Sequence, residues 1–174
     1  MAYTGFKLTN AKKVFLALSV ILPFLFYCLY YYGHMLKNAP YRFSDFESIS
    51  VQYGNRDSLV NKYDSKTGDY QYLNRADSLV KKKLRLTKDD LLYLHRKAAD
   101  LGFWDFPVNE TGDSVKAGTK QPVRYIIEYK YHSKSKRVVF DTNFDGDIRL
   151  IDANQGLIKE ITQVLNRAEA DQKK

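Results

Sequence analysis

The densest run of potential ligand residues in the chain is Asp141-Thr142-Asn143-Phe144-Asp145-Gly146-Asp147-Ile148-Arg149-Leu150-Ile151-Asp152. Asp141, Asn143 and Asp145 recur at every second position, and Asp147 and Asp152 follow. Carboxylate and amide oxygens are hard donors. Several at short spacing suit a hard cation such as calcium, which takes about six to eight oxygens. The same residues have a plainer use. Asn143 to Asp147 is good turn chemistry by composition, and Asp152-Ala153-Asn154-Gln155 is suited to cap a following helix. Asp152 has one carboxylate for two tasks, and both readings stand at this level.

The twelve-residue run resembles the EF-hand calcium loop. On that resemblance Asp141, Asn143 and Asp145 fill the first three ligand positions and Gly146 the sharp turn. Asp147 contributes its backbone carbonyl, and Asp152 closes the loop. The closing residue is Asp152 where glutamate is usual, and Arg149 brings positive charge beside the ligands. The entering segment reads as a strand, so no paired EF-hand is expected. The resemblance implies a weak site, of about the 10⁻⁴ to 10⁻³ M class, that would stiffen a strand-to-helix joint.

Other chemistry is sparse. His34, His95 and His132 stand apart in the sequence with no neighbouring second ligand. No Gly-x-Ser-x-Gly elbow occurs, and Cys28 lies in an apolar run where a thiolate nucleophile is not expected. Gly118-Thr119-Lys120 lacks the spacing and order of a phosphate loop. Asp57-Ser58-Leu59, Asp77-Ser78-Leu79 and Asp113-Ser114-Val115 resemble the short O-glycan acceptor pattern of some bacterial envelopes, although turn composition explains them equally well. These observations lead us to expect no enzyme and no catalytic residue.

The elements that must carry these residues begin with Val14 to Gly33, twenty positions without a charge. As a helix this stretch reaches about 30 Å, the thickness of a bilayer's hydrocarbon core. Tyr30-Tyr31-Tyr32 ends the run where a signal peptidase needs small side chains, and Phe26-Tyr27 precedes Cys28 where a lipoprotein signal needs them. An uncleaved anchor therefore fits better than a signal peptide or a lipid-modified cysteine. Tyr27 and Tyr30 to Tyr32 suit the headgroup level, and Pro23 is tolerated in a spanning helix. Lys7, Lys12 and Lys13 precede the run, whereas Lys37 and Arg42 follow it. That bias favours an N-terminus in the cytoplasm. The expected organisation is a cytoplasmic basic tail (1–13), a transmembrane helix (14–33), a linker (34–42) and an extracytoplasmic domain (43–174).

The net charge of +8 is half a membrane-flank effect. Lys7, Lys12, Lys13 and Lys37 belong to the first 40 residues, which hold no acid. The remaining chain has 24 basic and 20 acidic residues, a net of +4. That excess is too diluted for a nucleic-acid partner.

In the domain, Phe46 to Tyr53, Leu59 to Tyr63, Tyr70 to Leu73 and Ser78 to Leu86 read as strands, the last with Lys81 to Lys83 as edge protection. Thr87-Lys88-Asp89-Asp90 starts a helix that Gly102 ends. Phe103-Trp104-Asp105-Phe106 reads first as a core plug and second as a partner-binding patch. Asn109 to Gln121 reads as an exposed loop, Val123 to Tyr131 and Val138 to Phe140 as strands, and Leu157 to Ala168 as an amphipathic helix. The expected fold is α+β: a transmembrane helix, then an antiparallel sheet in the order β-β-β-β-α-β-β-α with helices on one face.

As a whole the chain resembles small single-pass bacterial envelope proteins built from an anchor and a compact α+β domain. The resemblance implies an inner-membrane location with the domain in the periplasm. It also implies an accessory role in an envelope assembly, with the lipid bilayer and a membrane or envelope protein as partners. A calcium-dependent module working through the 141–152 loop is the alternative.

Overall fold

A computed structural model of the chain describes residues 10–37, 41–56, 58–113 and 121–172. The expected basic tail through residue 9, linker residues 38–40 and positions 114–120 of the expected loop lie outside the described residues. The chain divides into two units, Met1–Pro40 and Tyr41–Lys174.

The first unit holds helix α1 (Asn10–Lys37), with Pro23 inside it. Within it the 23 residues Asn10–Tyr32 are long and apolar enough to cross a membrane, a property shared by anchors and signal sequences. Between Val14 and Tyr32 its large side chains are exposed: Phe15 is 75 % exposed and Leu29 69 %. A helix apolar on every side is compatible with a lipid environment. The helix continues through residues 34–37, into the stretch expected as linker.

The second unit is an α+β domain. Its strands are β1 (Phe46–Asn55), β2 (Ser58–Asp64), β3 (Asp69–Leu73), β4 (Leu79–Lys83), β5 (Asn109–Glu110), β6 (Val123–Tyr131) and β7 (Ser135–Asp141). Its helices are α2 (Lys88–Asp100) and α3 (Ile148–Asp171). They form one seven-stranded sheet in the order β4-β3-β2-β1-β6-β7-β5.

Alternation sets the inner face. Val51 pairs with Tyr63 and Ile127, and Ile49 with Tyr129, so these side chains share one side of the sheet. They join Leu94 and Ala98 of α2 and Leu157, Ile161 and Leu165 of α3 in a single core. Each valine, leucine or isoleucine among them taken fully from water stabilises the fold by about 1.5–3 kcal/mol. Phe103 is fully buried and Trp104 packs partly buried against the same core, so the aromatic run is a plug.

The start of α2 follows from its sequence. Thr87 Oγ1 accepts from the Asp90 amide and Asp90 returns the bond to the Thr87 amide, a capping box worth about 1 kcal/mol. Gly102, at φ 75°, turns the chain out of the helix.

Two expectations are corrected. The element order after α1 is β-β-β-β-α-β-β-β-α, because Asn109–Glu110 forms a strand inside the stretch expected as loop. It runs parallel to β7, so the sheet is mostly but not wholly antiparallel. Two residues carry no readable period-2 pattern, and Glu110 looks like a loop residue until its burial is known. The second correction is the cap of α3, which is Asp147 and not Asp152: the Asp147 side chain accepts from the Arg149 amide. Both sheet edges are blunt. β4 carries Lys81 to Lys83 and β5 is only two residues long, which discourages strand addition.

Candidate functional site

The polar chemistry of the domain gathers where β5, β7 and α3 meet, and the 141–152 run passes through it. Asp141, the last residue of β7, is fully buried. Its Oδ1 accepts from Arg124 Nε at 2.7 Å, and its Oδ2 from Arg124 Nη2 at 2.9 Å and Arg56 Nη2 at 2.8 Å. Arg124 sits on β6 directly opposite Asp141, and Arg56 lies in the turn between β1 and β2. Burial pushes the Asp141 carboxyl up. The bonds and charge of the two guanidiniums outweigh burial and hold it below the usual carboxylate range.

The other residues of the run are spread out. Asn143 donates from Nδ2 to the Asp113 carbonyl at 3.1 Å, tying the loop to the chain after β5. Asp145, Asp147 and Asp152 are exposed, and the Asp147 carboxylate is engaged at the helix start. A Cβ on Gly146 would stand 2.2 Å from the Phe144 ring, so the glycine makes room for that ring. Among the described residues no three histidine, cysteine or acidic side chains group closely enough to hold a metal ion. An ion at Asp141 would have to displace two arginines.

On the other side of the sheet, beneath α3, lies a second buried acid. Glu110 is fully buried, and its Oε2 accepts from Nδ2 of Asn154, itself fully buried. Burial raises the Glu110 carboxyl above its ordinary value, and neither the Asn154 bond nor the charge of Lys136 reverses that. Lys136 Nζ donates to the Phe106 carbonyl.

Of the histidines, His95 is packed inside the domain and His132 lies at its surface. His95 is buried among the rings of Phe43, Trp104 and Tyr131, and its Nε2 donates to the Tyr41 carbonyl at 3.1 Å. Burial pulls its imidazole below the ordinary histidine value. His132 Nδ1 lies 2.8 Å from Glu47 Oε1 in an exposed pair.

Arg56, Arg124 and Glu110 carry no sequence signal as a group. Arg124 is one polar residue on the outer face of an alternating strand. Asn154 does carry one, since it sits three positions before Leu157 and four after Leu150 on the apolar stripe of α3. An amide on such a stripe needs a buried partner.

Comparison with known protein families, with curated proteins and with solved structures finds no match. The class defined by the fold is thus an architectural one: an N-terminal apolar helix joined to an α+β domain with a mixed seven-stranded sheet.

Proposed function

We propose that the chain is a single-pass, membrane-anchored accessory module of an envelope protein assembly, non-enzymatic, with its α+β domain outside the cytoplasm. The observation that carries the reading is one apolar helix joined to a domain whose two helices pack on the same sheet face, which leaves the other face without a helix. On that face Lys81, Gln71, Lys62, Gln52, Ile126 and Val139 follow one another across six strands in continuous register. Four long polar side chains followed by two aliphatic ones make a row suited to a partner with a mixed polar and apolar surface. The buried Asp141 carboxylate, by contrast, is engaged by Arg56 and Arg124.

The test is photocrosslinking from Gln52, Lys62 or Gln71 in intact membranes, with Glu160 on α3 as a comparison site. A discrete adduct of defined mass from the sheet positions and none from Glu160 is expected. No adduct from any sheet position, or domain protection from protease once the outer barrier is opened, would defeat the reading.

A further inference from the structure

Two buried acceptors, one on each partner of a single hydrogen bond, have no donor among the described residues. Asn154 Nδ2 donates to Glu110 Oε2 and also to the Leu150 carbonyl at 2.9 Å. Glu110 Oε1 and Asn154 Oδ1 are both buried without a hydrogen-bond partner among the described residues. A carboxylate and an amide oxygen can only accept, so neither satisfies the other unless a proton lies between them. Each buried unpaired acceptor costs about 1–3 kcal/mol, and more when it carries charge.

We propose that Glu110 is held as the neutral carboxylic acid in the native fold, making with Asn154 a proton-binding pair that ties β5 to α3. The acid donates from Oε1 to Asn154 Oδ1 while Asn154 Nδ2 donates to Oε2, and both orphan atoms are satisfied at once. No other group need enter the site.

The surroundings agree. From β7, Lys136 is the cation whose charge reaches Glu110, and its Nζ is engaged by the Phe106 carbonyl. Asp105, in the turn after α2, acts on Lys136 in turn. From α3 the facing group is the neutral Asn154. Asp141 and its arginines lie on the opposite sheet face, since Glu110 pairs with Phe140 and successive residues point to opposite sides. Burial favours the neutral form of Glu110.

Glu110→Gln preserves the two-bond geometry, with Oε1 accepting from Asn154 and Nε2 donating to it, but cannot titrate. Full-length protein in detergent micelles is unfolded with urea between pH 5 and 8. Relative to E110Q, wild type is expected to lose about tenfold in its folding constant per pH unit from pH 5 upward, until the native pKa of Glu110 is passed. A carboxylate satisfied by a water or a cation predicts the reverse: E110Q less stable at every pH, with no such slope. That result overturns the proposal. Infrared difference spectra at pH 5 supply a second readout, whose overturning result is read from the wild type alone. A protonated-carboxyl band that shifts in Asn154→Ala supports the pair, and a wild type with no such band refutes it.

Discussion

Glu110 and Asp141 are two fully buried carboxyl groups at the same corner of the sheet, on opposite faces and with opposite electrostatics. Glu110 pairs in register with Phe140, the residue before Asp141. One face offers Asp141 two guanidiniums, and its carboxyl is driven below the usual range. The other offers Glu110 an amide, and burial prevails. Location alone does not decide a buried acid's state; the partners that share its burial do.

Removing the Asp141 charge strands two partly buried arginines. Asp141→Asn is expected to cost about 3–5 kcal/mol, the range for breaking one side of a buried pair, read from urea unfolding at pH 7. Because the native carboxyl titrates below its unfolded value of 3.8, this stabilisation is complete above that pH and fades as the pH falls through the native value. The D141N profile should lack that acid limb.

His95 acts in a milder window. Its native imidazole is depressed below 6.5, so the unfolded chain binds the extra proton and stability falls as the pH drops below that value. His95→Gln should abolish this part of the loss. Glu110 pulls the other way over part of the same range, gaining as pH falls, so each variant must be compared with wild type separately.

Two glycines meet obstacles of different stiffness. A Cβ on Gly112 would stand 2.3 Å from the Asn143 backbone oxygen, whereas on Gly146 it would stand 2.2 Å from the rim of the Phe144 ring. A side chain can swing aside more easily than a backbone. Gly112→Ala is expected to cost about 1–3 kcal/mol, the usual cost of overpacking, and Gly146→Ala less, in thermal or urea unfolding.

A calcium ion at the 141–152 loop would have to take the Asp141 carboxylate from Arg56 and Arg124. Isothermal calorimetry of the protein with calcium to millimolar concentration is expected to give no saturable heat, and the melting temperature should not move. A calcium-dependent rise would mean that Asp141 exchanges Arg56 and Arg124 for the ion and that the 141–152 loop rearranges.

Much of the frame was legible in the order of residues. The apolar run at Val14 to Gly33, the alternation of Val123 to Tyr131 and the cap at Thr87 each depend on neighbours within one element. Periodicity and capping are local, so they survive without knowledge of the fold. The same holds for the α+β class and for the stop at Gly102.

What the sequence could not determine was which polar residues meet. Arg56 and Arg124 reach Asp141 across separations of 85 and 17 residues, and Asn154 reaches Glu110 across 44. Read along the chain, Asp141 is the first ligand of an ion loop and Glu110 a loop residue. Only the sheet order sets β7 between β6 and β5 and lays α3 over one face. That packing puts both carboxyls out of reach of water, and a buried acid takes the partner the fold supplies.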